Sequence, residues 1–92
     1  MVKGNVLKIN GNDNVAIAIQ PVKKGTPIVY EGQALFDAAN DIETGHKVAL
    51  TQIKSGDMVI RYGHPILVAV TDINQGEWVH LHNAQPITVS SN

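Results

Sequence analysis

Four histidines carry most of the chemistry this chain can offer: His46, His64, His80 and His82. The last two close the stretch GEWVHLHN, residues 76–83, behind the single tryptophan, Trp78. In a β-strand, residues i and i+2 point to the same face, so alternation predicts that His80 and His82 stand side by side. Trp78 shares that face, while Val79 and Leu81 take the other and pack into the core. Neutral imidazoles so placed are competent to chelate a metal or to handle a proton. The same spacing also suits histidines that only cap a strand end. His46 follows a turn glycine in a related segment and is expected to converge on the pair.

Other polar residues have weaker claims. In GNDNVAIA, residues 11–18, Asp13 and Asn14 sit just before a strand. Both are turn formers that bond their own backbone. RYGHP, residues 61–65, offers the Tyr62 hydroxyl at a strand end, with His64 beside Pro65. There is no Ser/His/Asp motif, no phosphate-cradling glycine loop, no HExxH and no dinucleotide fingerprint. So few ionisable groups point to half of an active site.

The elements that must position these residues are short strands. An aliphatic residue, two variable positions, Gly, two more and an aliphatic residue recur along the chain. The copies are Val22–Gly25–Ile28, Ile42–Gly45–Val48, Ile53–Gly56–Val59 and Ile73–Gly76–Val79. Each reads as a strand end, a turn with glycine where φ is positive, and a new strand. Their spacing predicts two related halves and not a solenoid of equal units.

Strands are expected at Val6–Asn10, Asn14–Gln20, Pro27–Tyr30, Lys47–Thr51, Met58–Tyr62, Ile66–Val70 and Trp78–His82. Alternation is clearest in VAIAIQ and ILVAVTDI. QALFDAAN, residues 33–40, fits either one helical turn or an edge strand. Pro65 forces His64 into an extended conformation and breaks the strand there. The expected core is about residues 5–83, with the tail 84–92 an unpaired end or an arm for a partner.

Composition sets the outer limits. Ninety-two residues make one domain, 1–92, small for a self-sufficient core. One Trp, two Tyr and one Phe leave the core to aliphatic residues, which favours strands. The formal charge is −1 with Lys and Arg scattered, so no nucleic-acid or anionic-membrane footprint is present. No stretch approaches the roughly 20 apolar residues of a membrane span. Without cysteine, neither disulfides nor thiolate metal sites are available. The start, MVKGNVLKIN, lacks a secretory pattern, and a cytoplasmic location is expected.

Four motifs in order carry a family resemblance: Asp-Asn-Val-Ala at 13–16, Gly-His-Lys-x-Ala-Leu at 45–50, Tyr-Gly at 62–63, and Asp-Ile-x-x-Gly-x-Trp-Val-His-x-His-Asn at 72–83. With them the chain resembles the small N-terminal-type domain of altronate and galactarate dehydratases. The resemblance implies an all-β, SAF-type β-clip fold with pseudo-symmetric halves. In that family the domain is fused ahead of a large catalytic domain or made as a separate small subunit. A chain ending at Asn92 is similar to the separate form.

The resemblance implies a hydro-lyase subunit that contributes part of a site acting on a sugar acid and is inactive alone. It implies a large catalytic subunit as partner and a divalent metal, iron or manganese, in the complete enzyme. Self-association is left open. His46, His80 and His82 are its candidate catalytic residues, with His80 and His82 also candidate metal ligands. Asp13, Asn14, Lys47, Tyr62, Gly63 and Asn83 are its candidate substrate-binding residues. Two positions depart from the family pattern: His64, where another polar residue is usual, and Leu81, where a small polar one is. The small subunit of a sulfolactate sulfo-lyase and a non-catalytic carbohydrate-binding or regulatory SAF module are the alternatives.

Overall fold

A computed structural model describes residues 4–87, and within them the protein is all strand and turn, with no helix. The strands are β1 (Val6–Leu7), β2 (Val15–Ala18), β3 (Pro27–Tyr30), β4 (Gln33–Asp37), β5 (Lys47–Ala49), β6 (Met58–Arg61), β7 (His64–Ala69), β8 (Trp78–Val79) and β9 (Ala84–Pro86). They form a four-stranded antiparallel sheet in the order β1-β2-β5-β8, a β3–β4 hairpin, and a three-stranded sheet β6-β7-β9.

Two cores explain why the central sheet is apolar on both faces. Val6, Ala16, Ala18 and Val48 project from one face and bury against Ile28 of β3, with Val22, Ala38 and Ile42. Val15, Ala49 and Val79 project from the other and bury against Val59 of β6 and Ala69 of β7, with Ile53, Ile73 and Ala84. A strand covered on both sides loses the polar alternation of a half-exposed strand, as VAIA of β2 shows with three of its residues buried.

The two halves expected from the glycine repeat are present in matched detail. Gly25 N–H bonds Ala38 O at 2.8 Å and Gly56 N–H bonds Ala69 O at 2.7 Å. Val22 bridges Ile42, and Ile53 bridges Ile73. The Asp41 carboxylate accepts from Lys24 N–H at 2.8 Å, and that of Asp72 from Ser55 N–H at 2.9 Å. Both hairpins close through two residues of positive φ, Glu31–Gly32 and Tyr62–Gly63, the turn that suits the twist of paired strands. Each hairpin is bulged, between Ile28 and Val29 and between Val59 and Ile60.

A side-chain amide clamps each bulge. Asn5 receives Val29 N–H at 2.8 Å and donates to Pro27 O at 2.9 Å. Asn14 receives Ile60 N–H at 2.7 Å and donates to Met58 O at 2.9 Å. A bulge leaves backbone groups off the ladder, and these two amides take them up.

Of the two alternatives open for QALFDAAN, the strand is the one formed, as β4. Three expectations need correction. Pro65 does not break its strand: β7 begins at His64 and runs through it. The partner of Pro65 is Ile60, whose N–H and C=O turn away to Asn14. The imide nitrogen therefore faces the other flank of β7, where β9 pairs only with Leu67, Val68 and Ala69, so no ladder bond is lost.

The tail is not free throughout, because Ala84–Pro86 pair with β7 and Ala84 is fully buried. Residues 88–92 lie outside the described residues. Finally, β8 stops at Val79, so Leu81 is 62% exposed and packs in no core. Among the described residues, no helix is long and apolar enough to cross a membrane.

Candidate functional site

The histidines do converge, though not by the strand alternation that suggested it. Beyond Val79 the chain turns instead of extending. The Asn83 side chain accepts His80 N–H at 3.0 Å and donates to Trp78 O at 2.8 Å, and Asn83 N–H and Ala84 N–H both return to His80 O. These are the backbone groups a continuing strand would present to a neighbour, so the turn is self-contained. Asn83 is buried, with both ends of its amide engaged. Its work is to shape the loop that holds His80 and His82.

Trp78 is the centre of the cluster. Its ring stacks on His80 at 4.8 Å between centroids and 10° between planes. His46 stacks on it at 5.5 Å and 29°, and His82 lies against it at 5.1 Å, tilted 39°. His46 also stacks on His80 at 5.5 Å. The sheet explains the meeting: Lys47 pairs with Val79 and Val48 with Trp78, which brings His46 opposite His80 on the face that Trp78 shares. The outer edge of β8 is closed by Asn40, whose side chain accepts Trp78 N–H at 2.9 Å.

One bond fixes the chemistry of His46. The Trp78 indole N–H donates to Nδ1 of His46 at 3.0 Å. Indole is a donor only, so Nδ1 must carry a lone pair and the proton of neutral His46 must sit on Nε2. His46 is thereby presented as an N–H donor at Nε2, whose nearest carboxylate is the exposed Glu43 at 3.9 Å. The imidazoles of His80 and His82 make no hydrogen bond to other described residues, and both are exposed. They are the groups with nitrogens left to act on something outside the chain.

Gly45, His46, Lys47, Val79 and His80 line a shallow cleft of about 150 Å³. Lys47 is half-buried there, and burial pushes its ammonium below the ordinary 10.5, with Arg61 adding to the shift. The larger recess of about 390 Å³ lies elsewhere, among Lys8, Tyr30, Leu35, Phe36, Leu50 and Gln75, and contains no histidine.

The remaining sequence candidates gather at the β6–β7 turn. The Asp13 carboxylate accepts Gly63 N–H at 2.8 Å and Asn10 N–H at 3.0 Å. Burial pushes its pKa up, but the amides of Gly63, Asn10, Tyr62 and Ile9 outweigh that and hold it below the ordinary 3.8. Asp13 and Asn14 thus serve the backbone of the hairpin. Tyr62 is 48% exposed at positive φ, with the Arg61 guanidinium over its ring at 4.9 Å. His64 is exposed at the start of β7. Arg61 was not among the sequence candidates; only its repeat position would have drawn attention to it.

As for a metal, no group of three or more His, Asp or Glu side chains among the described residues is placed to hold a metal ion. Nδ1 of His46 is occupied by the indole. The donors among the described residues do not make a metal centre.

Residues 4–86 match the family model of the altronate/galactarate dehydratase SAF domain. The chain is also 39% identical over 79 residues to an altronate dehydratase of Bacillus subtilis (strain 168), an alignment spanning 86% of this chain. It covers 16% of that protein's length.

Proposed function

Since the chain belongs to the altronate/galactarate dehydratase SAF domain family, we propose that it is the small subunit of a hydro-lyase acting on a sugar acid. It supplies part of the site to a large catalytic subunit. The reaction removes the proton α to a carboxylate and expels the β-hydroxyl as water. That needs a base, an acid for the departing oxygen, and groups that hold the carboxylate. The divalent metal of the family, iron or manganese, is assigned to the large subunit.

The observation that carries this reading is the cluster on Trp78. Three histidines from two segments meet on one indole, and the bond to Nδ1 holds His46 in a single tautomer. A set of stacked rings with unsatisfied nitrogens, at an exposed cleft, is a rim waiting for its other half. In the complex, His46 donates from Nε2 to a carboxylate or hydroxyl oxygen. His80 and His82 are the candidates to give a proton to the leaving hydroxyl.

Reconstitution tests it. Neither the 92-residue chain nor the large subunit alone should dehydrate altronate or galactarate at the rate of the mixture. Equal turnover by the large subunit alone would overturn the proposal. Turnover of sulfolactate in place of both sugar acids would move the chain to the sulfo-lyase branch.

A further inference from the structure

The chain contains one Asn-Gly pair, Asn10–Gly11, and it lies in a turn that the second hairpin leans on. Asn10, Gly11 and Asn12 are exposed, whereas Asp13 is buried. Asp13 N–H donates to Asn10 O at 3.0 Å, which closes a four-residue turn. Asn10 N–H donates in return to the Asp13 carboxylate at 3.0 Å, and that carboxylate also accepts Gly63 N–H at 2.8 Å. The tip of the β6–β7 hairpin is thus tied, through Asp13, to the backbone of Asn10.

The surroundings of the pair favour attack by the Gly11 nitrogen on the side-chain carbonyl of Asn10. Gly11 has no Cβ to obstruct the approach, and the space a Cβ would fill is open. Its N–H makes no hydrogen bond with other described residues, so solvent can take the proton. Asn10 Oδ1 accepts Asn12 N–H at 2.9 Å. That donor is aimed at the oxygen on which negative charge develops when the amide is attacked. The leaving nitrogen, Nδ2, lies against Gly63, which has no side chain to hold it.

We propose that Asn10 is a site of self-modification, deamidating to aspartate and isoaspartate, and that the isoaspartate form releases the β6–β7 turn. The Gly11 nitrogen bonds to Cγ of Asn10 and closes a cyclic imide. The Cγ–Nδ2 bond breaks, and ammonia leaves with a proton equivalent to the one lost from Gly11. Water then opens the imide. Addition at Cγ gives aspartate; addition at the main-chain carbonyl gives isoaspartate, in which the chain runs through Cβ and Cγ.

In isoaspartate the former Asn10 carbonyl becomes a carboxylate outside the main chain, so the turn loses the acceptor of Asp13 N–H. A second negative charge also arrives beside the Asp13 carboxylate, and like charges at short range repel. Both changes loosen Asp13, and with it the hold on Gly63 N–H. The site is independent of the histidine rim and stands whether or not those rings act in catalysis.

The test ages the 92-residue chain at mildly alkaline pH, with Gly11→Ala in parallel. Peptide mapping by mass spectrometry should find the exchange of –NH2 for –OH first at Asn10, with isoaspartate among the products. Gly11 has room for a methyl group and no positive φ, so the variant should fold. It should slow the reaction about tenfold or more, a barrier raised by about 1.4 kcal/mol. In the purified isoaspartate form, the Gly63 amide should exchange its hydrogen faster than in the fresh chain. Earlier reaction at another asparagine, an undiminished rate in Gly11→Ala, or a Gly63 amide equally protected in the isoaspartate form would overturn the proposal.

Discussion

The indole N–H of Trp78 donates to Nδ1 of His46 at 3.0 Å, and their rings stack at 5.5 Å. This contact joins β5 to β8 through side chains as well as through the ladder. It also decides which nitrogen of His46 faces outward. A nitrogen that accepts the indole proton cannot also bind a metal or a substrate proton.

The first prediction follows directly. Nitrogen-15 spectra of His46 should show Nδ1 unprotonated and Nε2 protonated in the neutral ring. Trp78→Phe keeps the stacking face but removes the donor, and should release the tautomer into a mixture. A protonated Nδ1 in the unmodified chain would contradict the geometry.

The two bulge clamps make a second. Asn5→Ala and Asn14→Ala each strand a backbone N–H and C=O that the amide had satisfied. Each should cost about 1 kcal/mol, because the stranded groups are only partly shielded from water. In a domain of this size that lowers Tm by roughly 4–8 °C per kcal/mol. Thermal unfolding followed by circular dichroism is the check, and an unchanged Tm in either variant would remove the clamp from the account.

Asp13 gives the acid limb of stability. Its folded pKa lies below the ordinary 3.8 because hydrogen bonds from backbone amides outweigh the effect of burial. A carboxyl depressed on folding stabilises the protein above its unfolded pKa, and that stabilisation is lost as pH falls through the folded value. Asp13→Asn should therefore unfold at lower urea than the parent chain at pH 6. The gap should close as pH drops below 3.8. A gap that is constant with pH would mean the carboxylate charge is irrelevant to the hairpin.

Much of the fold was legible because glycine at positive φ punctuates it. The recurring aliphatic-x-x-Gly-x-x-aliphatic pattern marks the turns at Gly25, Gly45, Gly56 and Gly76, all of which have positive φ. It also implied two halves. What could not be read was where strands stop. Val79 ends β8 because the Asn83 side chain captures the backbone of Trp78 and His80, and no local propensity announces such a capture. Ala84–Pro86 looked like a tail because its pairing with Leu67–Ala69 is a long-range contact with no periodic signal of its own.

The site was legible in its members and not in its construction. His46, His80 and His82 do meet, as the spacing suggested, but on the indole of Trp78 and from a turn. Asp13, Asn14 and Asn83 drew notice as polar residues near the candidate chemistry. The structure engages all three in backbone hydrogen bonds. Arg61 stayed hidden because a lone arginine before a turn looks like any solvated end of a strand.

The central claim is that the histidine rim works only as part of a larger enzyme, and one measurement reaches it most directly. Initial rates of altronate and galactarate dehydration should be compared for the large subunit mixed with the parent chain, with His80→Ala, and with His64→Ala. His80 is exposed, so its loss should cost the fold about 1 kcal/mol or less. It should nevertheless lower turnover of the complex by about 10²-fold or more, the scale of a positioned acid or base. His64, away from the indole stack, should change the rate only slightly. A His80→Ala chain that folds, assembles and supports full turnover would contradict the account.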